Sequence, residues 1–421
     1  MSGETNENNK INTGNPPCRK KKGFRRWYRK WRKPLLRSVS AGAIVAILYL
    51  IVAFSSIPFI AKWRTLYIET AMSTHSHQWL AEAFFPKSVV DQVVAQKMAD
   101  LEQQEDLNSD WADISGNTNE EPDSHDTFFE EYWELDSESV HAYLDARPYL
   151  TENGYDSLLI EDMDNTLGLQ TSKGDKLLVA DVANNLLIVG VSGDGYVGKM
   201  AIVKNPAQVD LVQSKSLGDF GELAESYGER TDALLVINAS GFKDPEGHGA
   251  GGEIKGCLVM DGVEYGKPKG DTWKMFGFKT DDRLYISNYY EEDITEYRWA
   301  VEFFPALIVN GEISISGSFG MGIQPRTTIG QTENGDFLML IVDGRQVGYS
   351  LGCTVAECAD IMLRYGAYQG ANMDGGSSAV MWYKGEQITK SSSKAGNGRY
   401  MPDALIVRKP TDPEVTATPS N

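Results

Sequence analysis

Seven consecutive residues, Asn372-Met373-Asp374-Gly375-Gly376-Ser377-Ser378, place a carboxylate, an amide and two hydroxyls around a pair of glycines. Adjacent glycines let the backbone approach a ligand closely, and their N–H groups can form a nest for an anion. Asp-Gly and Gly-Ser are also ordinary hairpin punctuation, so the heptapeptide alone serves a turn equally well. Further polar clusters lie upstream: Asn238 closing an apolar run before Gly241 and Phe242, Pro325-Arg326-Thr327-Thr328-Ile329-Gly330, and Asp343-Gly344-Arg345. Either Arg326 or Arg345 can grip a phosphate with a planar guanidinium fork, and Asp343 and Asp374 are the natural carboxylate pair. Each has a plainer alternative. Arg326 can pair with a surface acid, the two aspartates can hold their own turns, and Asn238 and Asn372 can satisfy local backbone groups.

Core-forming segments separate these clusters. Asp336 to Val342 is an apolar run of buried-strand length. Thr354 and Glu357 have capping-box spacing, Val355, Ala359, Met362 and Tyr365 recur at helical intervals, and Gly366 can end that helix, which then delivers the chain to the glycine turn. Asn310-Gly311 between Leu307–Val309 and Ile313–Ile315 predicts a two-residue hairpin, and Asn184-Asn185 predicts a turn between Leu177–Ala183 and Leu186–Val191. A helix is expected over Phe220–Tyr227 and another within Phe128–Leu150. Many strands and few helices give an α+β class, with a mixed β-sheet whose strand ends carry the site.

In order, VINASGF (236–242), PRTTIG (325–330), IVDGR (341–345), GCTVAECA (352–359) and NMDGGSS (372–378) resemble the motifs of the phosphodiester glycosidase family. The resemblance covers roughly residues 175 to 408. Two departures touch the pocket that it implies: Ala239-Ser240 where the family usually has glycine, and a glycine run of two rather than three. It implies hydrolysis of a sugar-1-phosphodiester and raises Asn238, Arg326, Asp343, Arg345, Asn372, Asp374 and the Gly-Gly-Ser-Ser run together without assigning roles; by their side-chain chemistry Asp374, Asp343 and Arg326 are the catalytic candidates. Asn238, Gly241, Phe242, His248, Thr327, Arg345, Asn372, Gly375, Gly376, Ser377 and Ser378 are the substrate-binding candidates. The departing phosphate monoester is a weak base, so such a site needs phosphate-binding donors and a carboxylate more than a strong general acid. No cofactor and no metal are implied.

Outside that region, charge and hydropathy divide the chain. The 421 residues carry a net charge of −19, yet residues 1–37 hold twelve Lys or Arg against Glu4 and Glu7, leaving −29 for the rest. No charged residue occurs from Ser38 to Ala61, long enough as a helix to cross a bilayer, with the basic flank predicting a cytoplasmic N-terminus. A cleavable signal is the competing reading. Lipid head groups, rather than nucleic acid, are the expected neighbours of the basic block. Residues 62–126 read as a juxtamembrane helix and a solvated acidic linker, 127–174 as a cap, 175–408 as the main domain and 409–421 as a tail.

Among the four cysteines, Cys353 and Cys358 straddle a helix start, poor spacing for a disulfide within a regular helix. Zinc-hydrolase and P-loop signatures are absent, the 247–252 glycine run reads as a mobile loop over a pocket, and His75 with His77 makes no metal site by itself. The expectation is therefore a membrane-anchored hydrolase facing outward, acting on a glycosyl-1-phosphodiester in a surface or exopolysaccharide glycan. A non-catalytic phosphosugar-binding module and a structural envelope protein are the alternatives, and the oligomeric state stays open.

Overall fold

The computed structural model describes residues 21–74, 77–111, 127–247, 249–270, 273–315 and 317–410. Cys18, His75, His248, most of the acidic stretch and the C-terminal tail lie outside the described residues. The chain forms two compact units, Met1–Arg64 and Thr65–Asn421.

The first unit is dominated by α1 (Lys21–Phe54), in which Lys30–Phe54 is long and apolar enough to cross a membrane. Its side chains from Val39 to Phe54, Ile44, Leu48 and Leu50 among them, are mostly exposed. The helix stops at Phe54, and α2 (Pro58–Met72) begins only after Ser55-Ser56-Ile57. The uncharged stretch 38–61 is thus not one continuous helix, because the ring of Pro58 suits a helix start and not an interior.

In the second unit, α3 (Gln78–Phe84) and α4 (Lys87–Glu102) precede the β-rich body. Phe128–Leu150 forms two short helices, α5 (Thr127–Glu131) and α6 (Ser137–Asp145), the latter restarted by Asp136, whose carboxylate accepts from the Ser139 N–H at 3.1 Å. A nine-stranded sheet follows the order Leu159–Glu161, Lys176–Asp181, Leu186–Gly193, Tyr196–Val203, Phe337–Val342, Arg326–Thr332, Ala367–Asn372, Ala306–Val309, Glu312–Ile313. Two five-stranded sheets complete the body, and every pairing among the described strands is antiparallel. The α+β class holds.

Period-two alternation shows why the central run is continuously apolar. Phe337, Met339 and Ile341 enter one core with Phe278 and Trp299, while Leu338, Leu340 and Val342 enter the other with Val355, Cys358 and Met362. These last three lie on α8 (Val355–Arg364), which starts with the predicted capping box: the Glu357 N–H donates to Thr354 Oγ1 at 3.2 Å, and the Thr354 N–H to Glu357 Oε2 at 2.7 Å. The Asn310-Gly311 hairpin forms, with φ of 53° and 79° at the two residues. The other helix, α7, runs Ala224–Thr231 rather than 220–227.

Two expectations fail here for physical reasons. The helix does not lead straight into the glycine turn; the strand Ala367–Asn372 lies between them, paired with Arg326–Thr332 on one side and Ala306–Val309 on the other. Ala-Tyr-Gln-Gly-Ala-Asn has weak strand propensity, but its neighbours impose the conformation and crowd it at Gly370. A Cβ on Gly370 would lie 3.3 Å from the Ile308 side chain.

Nor is all of 102–126 a solvated linker. Gln104 is buried, donating to Ala306 O at 2.9 Å and accepting from its N–H at 3.0 Å, and Ser109 N–H donates to Ile286 O at 2.8 Å. Trp111 is buried against Tyr368, ring centroids 5.1 Å apart, and donates from Nε1 to Leu284 O at 3.1 Å. Residues 104–111 are part of the body. Trp111→Ala should therefore lower stability by about 3 kcal/mol, the usual range for removing a buried aromatic. A fragment starting at residue 65 should melt at a higher temperature than one starting at 127; equal melting temperatures would return this segment to linker status.

Candidate active site

The sequence clusters meet where the nine-stranded sheet abuts the sheet containing the strand Leu235–Asn238. Asn238 ties them together. Its Nδ2 donates to Asp374 O at 2.5 Å, while its Oδ1 accepts from Thr327 Oγ1 at 2.8 Å and the Val380 N–H at 3.3 Å. Backbone bonds repeat the junction, from Met373 N–H to Thr327 O at 2.9 Å and from Asp374 N–H to Ala239 O at 3.2 Å. Thr327 and Asn238 are thus buried supports of the turn.

The glycine pair lies against Pro325-Arg326. Gly376 has φ of 64° and donates its N–H to Pro325 O at 2.9 Å. Gly375 has an extended φ of −124°, and its need for glycine is proximity: a Cβ there would fall 2.7 Å from Pro325 O. Across Gly376 sits the Arg345 guanidinium, with Nη2 3.1 Å from the position a Cβ would occupy. Its Nε and Nη2 both donate to Gln324 Oε1, at 3.0 and 2.5 Å, so Gln324 aims this arginine. Arg326 is buried, donating from Nε to Cys353 O at 3.1 Å and from Nη2 to Met321 O at 3.1 Å and Gly322 O at 2.6 Å. Among the described residues neither arginine makes a carboxylate ion pair, and each keeps Nη1 without a hydrogen-bond partner.

Burial raises the Asp374 carboxyl to about 6. Ser378, the Gly375 N–H and the positive charge of Arg399 pull it down and Asp244 pushes it up, while Asp374 in turn supports the charge on Arg345. Arg399 is itself clamped by Asp244 through two bonds of 2.7 and 2.8 Å and lies over the Phe242 ring at 5.4 Å. Gly241 packs under Phe303, 2.8 Å from the position of an added Cβ. The Ser377 carbonyl accepts from Ser391 Oγ at 2.9 Å. Asn372 donates to Phe304 O at 2.8 Å, and its buried Oδ1 has no partner.

Asp343 stands apart from this group. Tyr349 donates to its Oδ2 at 2.8 Å, the Lys390 N–H donates to Oδ1 at 2.9 Å, and its charged neighbours are Lys199 and Lys390. Both oxygens are engaged in fastening the 345–350 and 390 segments, so the expected Asp343–Asp374 pair is not assembled. Burial nevertheless raises its carboxyl above the usual range.

A cleft of about 600 Å³ opens beside the group, lined by Phe242, Asp244, Lys255 and the 249–253 segment, not by Asp374 or the arginines. That segment is not loose: Ala250 O and Gly252 O accept from the Gly221 and Gly218 N–H groups at 3.0 and 2.8 Å. Where the family usually has glycine, the Ser240 N–H donates to Asp403 Oδ1 at 2.8 Å, and burial raises the Asp403 carboxyl to about 6. Cys353 and Cys358, poorly spaced in a regular helix, have Sγ atoms 3.2 Å apart because Cys353 lies before the helix rather than in it. Among the described residues no group of three or more His, Cys, Asp or Glu is placed to hold a metal ion.

Residues 231–408 match the family model for phosphodiester glycosidase. All five motifs lie inside that stretch, whereas residues 175–230 lie outside it. The SPbeta prophage-derived uncharacterized protein YomE of Bacillus subtilis (strain 168) is 25% identical over 206 residues, covering 45% of this chain and 30% of that protein. The chain thus spans under a third of that relative's length. Among solved structures, the catalytic domain of zebrafish N-acetylglucosamine-1-phosphodiester α-N-acetylglucosaminidase, auto-inhibited by its pro-peptide, is 21% identical with a TM-score of 0.45. That match covers 54% of this chain and 83% of the zebrafish one. A hypothetical protein from Synechocystis is 12% identical with a TM-score of 0.41, covering 55% of this chain and 63% of that one.

The site includes residues that motif reading missed. Gln324 stands one residue before PRTTIG, a signal available from position. Asp244 and Arg399 are 155 positions apart and carry no spacing signal at all.

Proposed function

We propose that this chain is a membrane-anchored hydrolase that cleaves a glycosyl-1-phosphodiester in a surface or exopolysaccharide glycan, on the extracytoplasmic side. The observation that carries the reading is the junction of Asp374, the Gly375-Gly376 turn and the Arg345 guanidinium: an anionic group and a planar cation share one turn. Arg345 takes phosphate oxygens through its unpartnered Nη1, and Arg326, fixed by three carbonyls, adds fixed positive charge behind it. Asp374 supports the positive charge that develops at the anomeric carbon, or directs water to it. Asn238, Thr327, Gln324 and Ser378 hold these groups in register. The phosphate monoester leaves without needing a strong acid.

The apolar helix and the basic N-terminal block support an uncleaved anchor with a cytoplasmic N-terminus. Purified full-length protein in detergent should release free sugar from methyl hexopyranosyl-1-phosphodiesters. Arg345→Ala should lower kcat/KM by on the order of 10²-fold, as for loss of a positioned charge. A wild type that releases no sugar from any such diester would leave the phosphosugar-binding module as the better reading.

A further inference from the structure

The region matched by the family model supplies Arg326 and Arg345, but a third cation, near Arg326, comes from far upstream. Lys97 lies on α4, and its stem runs directly over Gly320, where an added Cβ would meet Lys97 Cβ at 2.5 Å. Its Nζ sits 5.3 Å from the centroid of the Phe304 ring. The carbonyl of Phe304 is the acceptor for Asn372 Nδ2, so Lys97 stands one residue contact from the glycine-turn motif. No hydrogen bond or ion pair to Nζ is made among the described residues.

The same upstream segment is fastened to the loop before Arg326. Thr70 Oγ1 accepts from the Ile323 N–H at 3.0 Å, and Gln324 Nε2 donates to Thr70 O at 3.1 Å. Gly322 admits this contact, since a Cβ there would lie 2.4 Å from the Thr70 nitrogen. Gln324 is also the acceptor that aims Arg345, so α2 reaches the substrate arginine through a single side chain.

We infer that Lys97, carried by α4 and seated on the loop that holds Arg326, is an anion-binding residue of this site and contacts the phosphate of the bound diester. Three observations support it. A chain of net charge −19 places Arg326 and Lys255 within electrostatic range of Lys97. Burial, and after it the positive charges of Arg326 and Lys255, lower the affinity of Lys97 for its proton, a cost that an arriving anion offsets. Glu69, on α2, accepts from Ser318 Oγ, and burial raises its carboxyl. Asp100, on the next turn of α4, accepts from Gln96 at 2.8 Å. A lysine kept only for packing would gain from being neutral; one that meets a phosphate needs its charge where no carboxylate already holds it.

That the anion is the phosphate of a diester rests on the hydrolase reading; the anion site itself does not. Methyl phosphate, the fragment expected to leave, is the probe. It should raise the melting temperature of the full-length wild type, and Lys97→Met, which keeps the stem over Gly320, should weaken its binding about tenfold or more, with Lys97→Arg restoring most of it. With the diesters, Lys97→Met should raise KM by a similar factor and change kcat less. In the wild type, methyl phosphate should slow acetylation of Lys97 several-fold while leaving exposed Lys87 on the same helix unchanged, a readout that stands if the methionine variant does not fold. Absence of a melting shift in the wild type, equal affinity in Lys97→Met, or unprotected Lys97 would each overturn the assignment. If methyl phosphate binds through Lys97 while no diester is hydrolysed, the hydrolase reading falls and the anion site stands.

Discussion

Asp374→Asn should reduce diester hydrolysis by on the order of 10²-fold or more while making the folded protein more stable at alkaline pH. The two effects have one cause. Burial places the Asp374 carboxyl at about 6, above the range of an exposed aspartate, despite help from Ser378, the Gly375 N–H and Arg399. The folded state therefore holds this proton more tightly than the unfolded chain does. Its contribution to stability is fully present below about pH 4 and is lost as pH rises through about 6, because the charged form is disfavoured only when folded. Asparagine carries no charge to lose. The melting temperature of the variant should exceed that of wild type at pH 8, with the gap closing towards pH 4. Wild-type activity should rise through about pH 6 as the carboxylate forms. A flat wild-type profile between pH 5 and pH 8 would remove Asp374 from the chemistry; a variant no more stable at pH 8 would mean that its charge is better compensated than the burial implies.

The same residue shows what the sequence made legible. Asp374, the glycine pair, Arg345, Arg326 and Asn238 could be marked because their polar letters interrupt apolar runs, and a polar knot at the end of a strand is visible in one dimension. The capping box and the Asn310-Gly311 hairpin were legible for the same reason, being interactions between residues a few positions apart. What failed was the assignment of partners. Asp343 has the letters of a catalytic acid, but Tyr349 and the Lys390 backbone claim its oxygens, and the second of these is 47 residues away. Strand Ala367–Asn372 was hidden because its conformation comes from its neighbours rather than its own side chains. Residues 104–111 were hidden by composition: charged and amide letters suggested a solvated segment, while Gln104 satisfies the Ala306 backbone in the interior. Arg326 was legible as a cation but not as one already bound to three carbonyls.

Asn238→Ala should have the largest effect on the fold of any single change in the site. The asparagine side chain meets three buried groups from three separate segments: the Asp374 carbonyl, the Thr327 hydroxyl and the Val380 N–H. Alanine leaves all three without that partner, and an unmet buried polar group costs about 1–3 kcal/mol. Thr327 can rotate to another acceptor and a water can enter the space, so the expected loss is about 3–5 kcal/mol, a large part of a stability of about 5–15 kcal/mol. Asn238→Asp should not rescue it. The carboxylate can still accept from Thr327 and Val380, but it turns an oxygen towards the Asp374 carbonyl where a donor is required. Asn372→Ala supplies the control, since that residue makes one side-chain bond, to Phe304 O, and its Oδ1 is unpartnered already. In urea, Asn238→Ala should unfold at a clearly lower concentration than Asn372→Ala with a similar slope. Equal midpoints would show that the glycine turn is held by the backbone bonds of Met373 and Asp374 alone, and that Asn238 is free to serve the substrate instead.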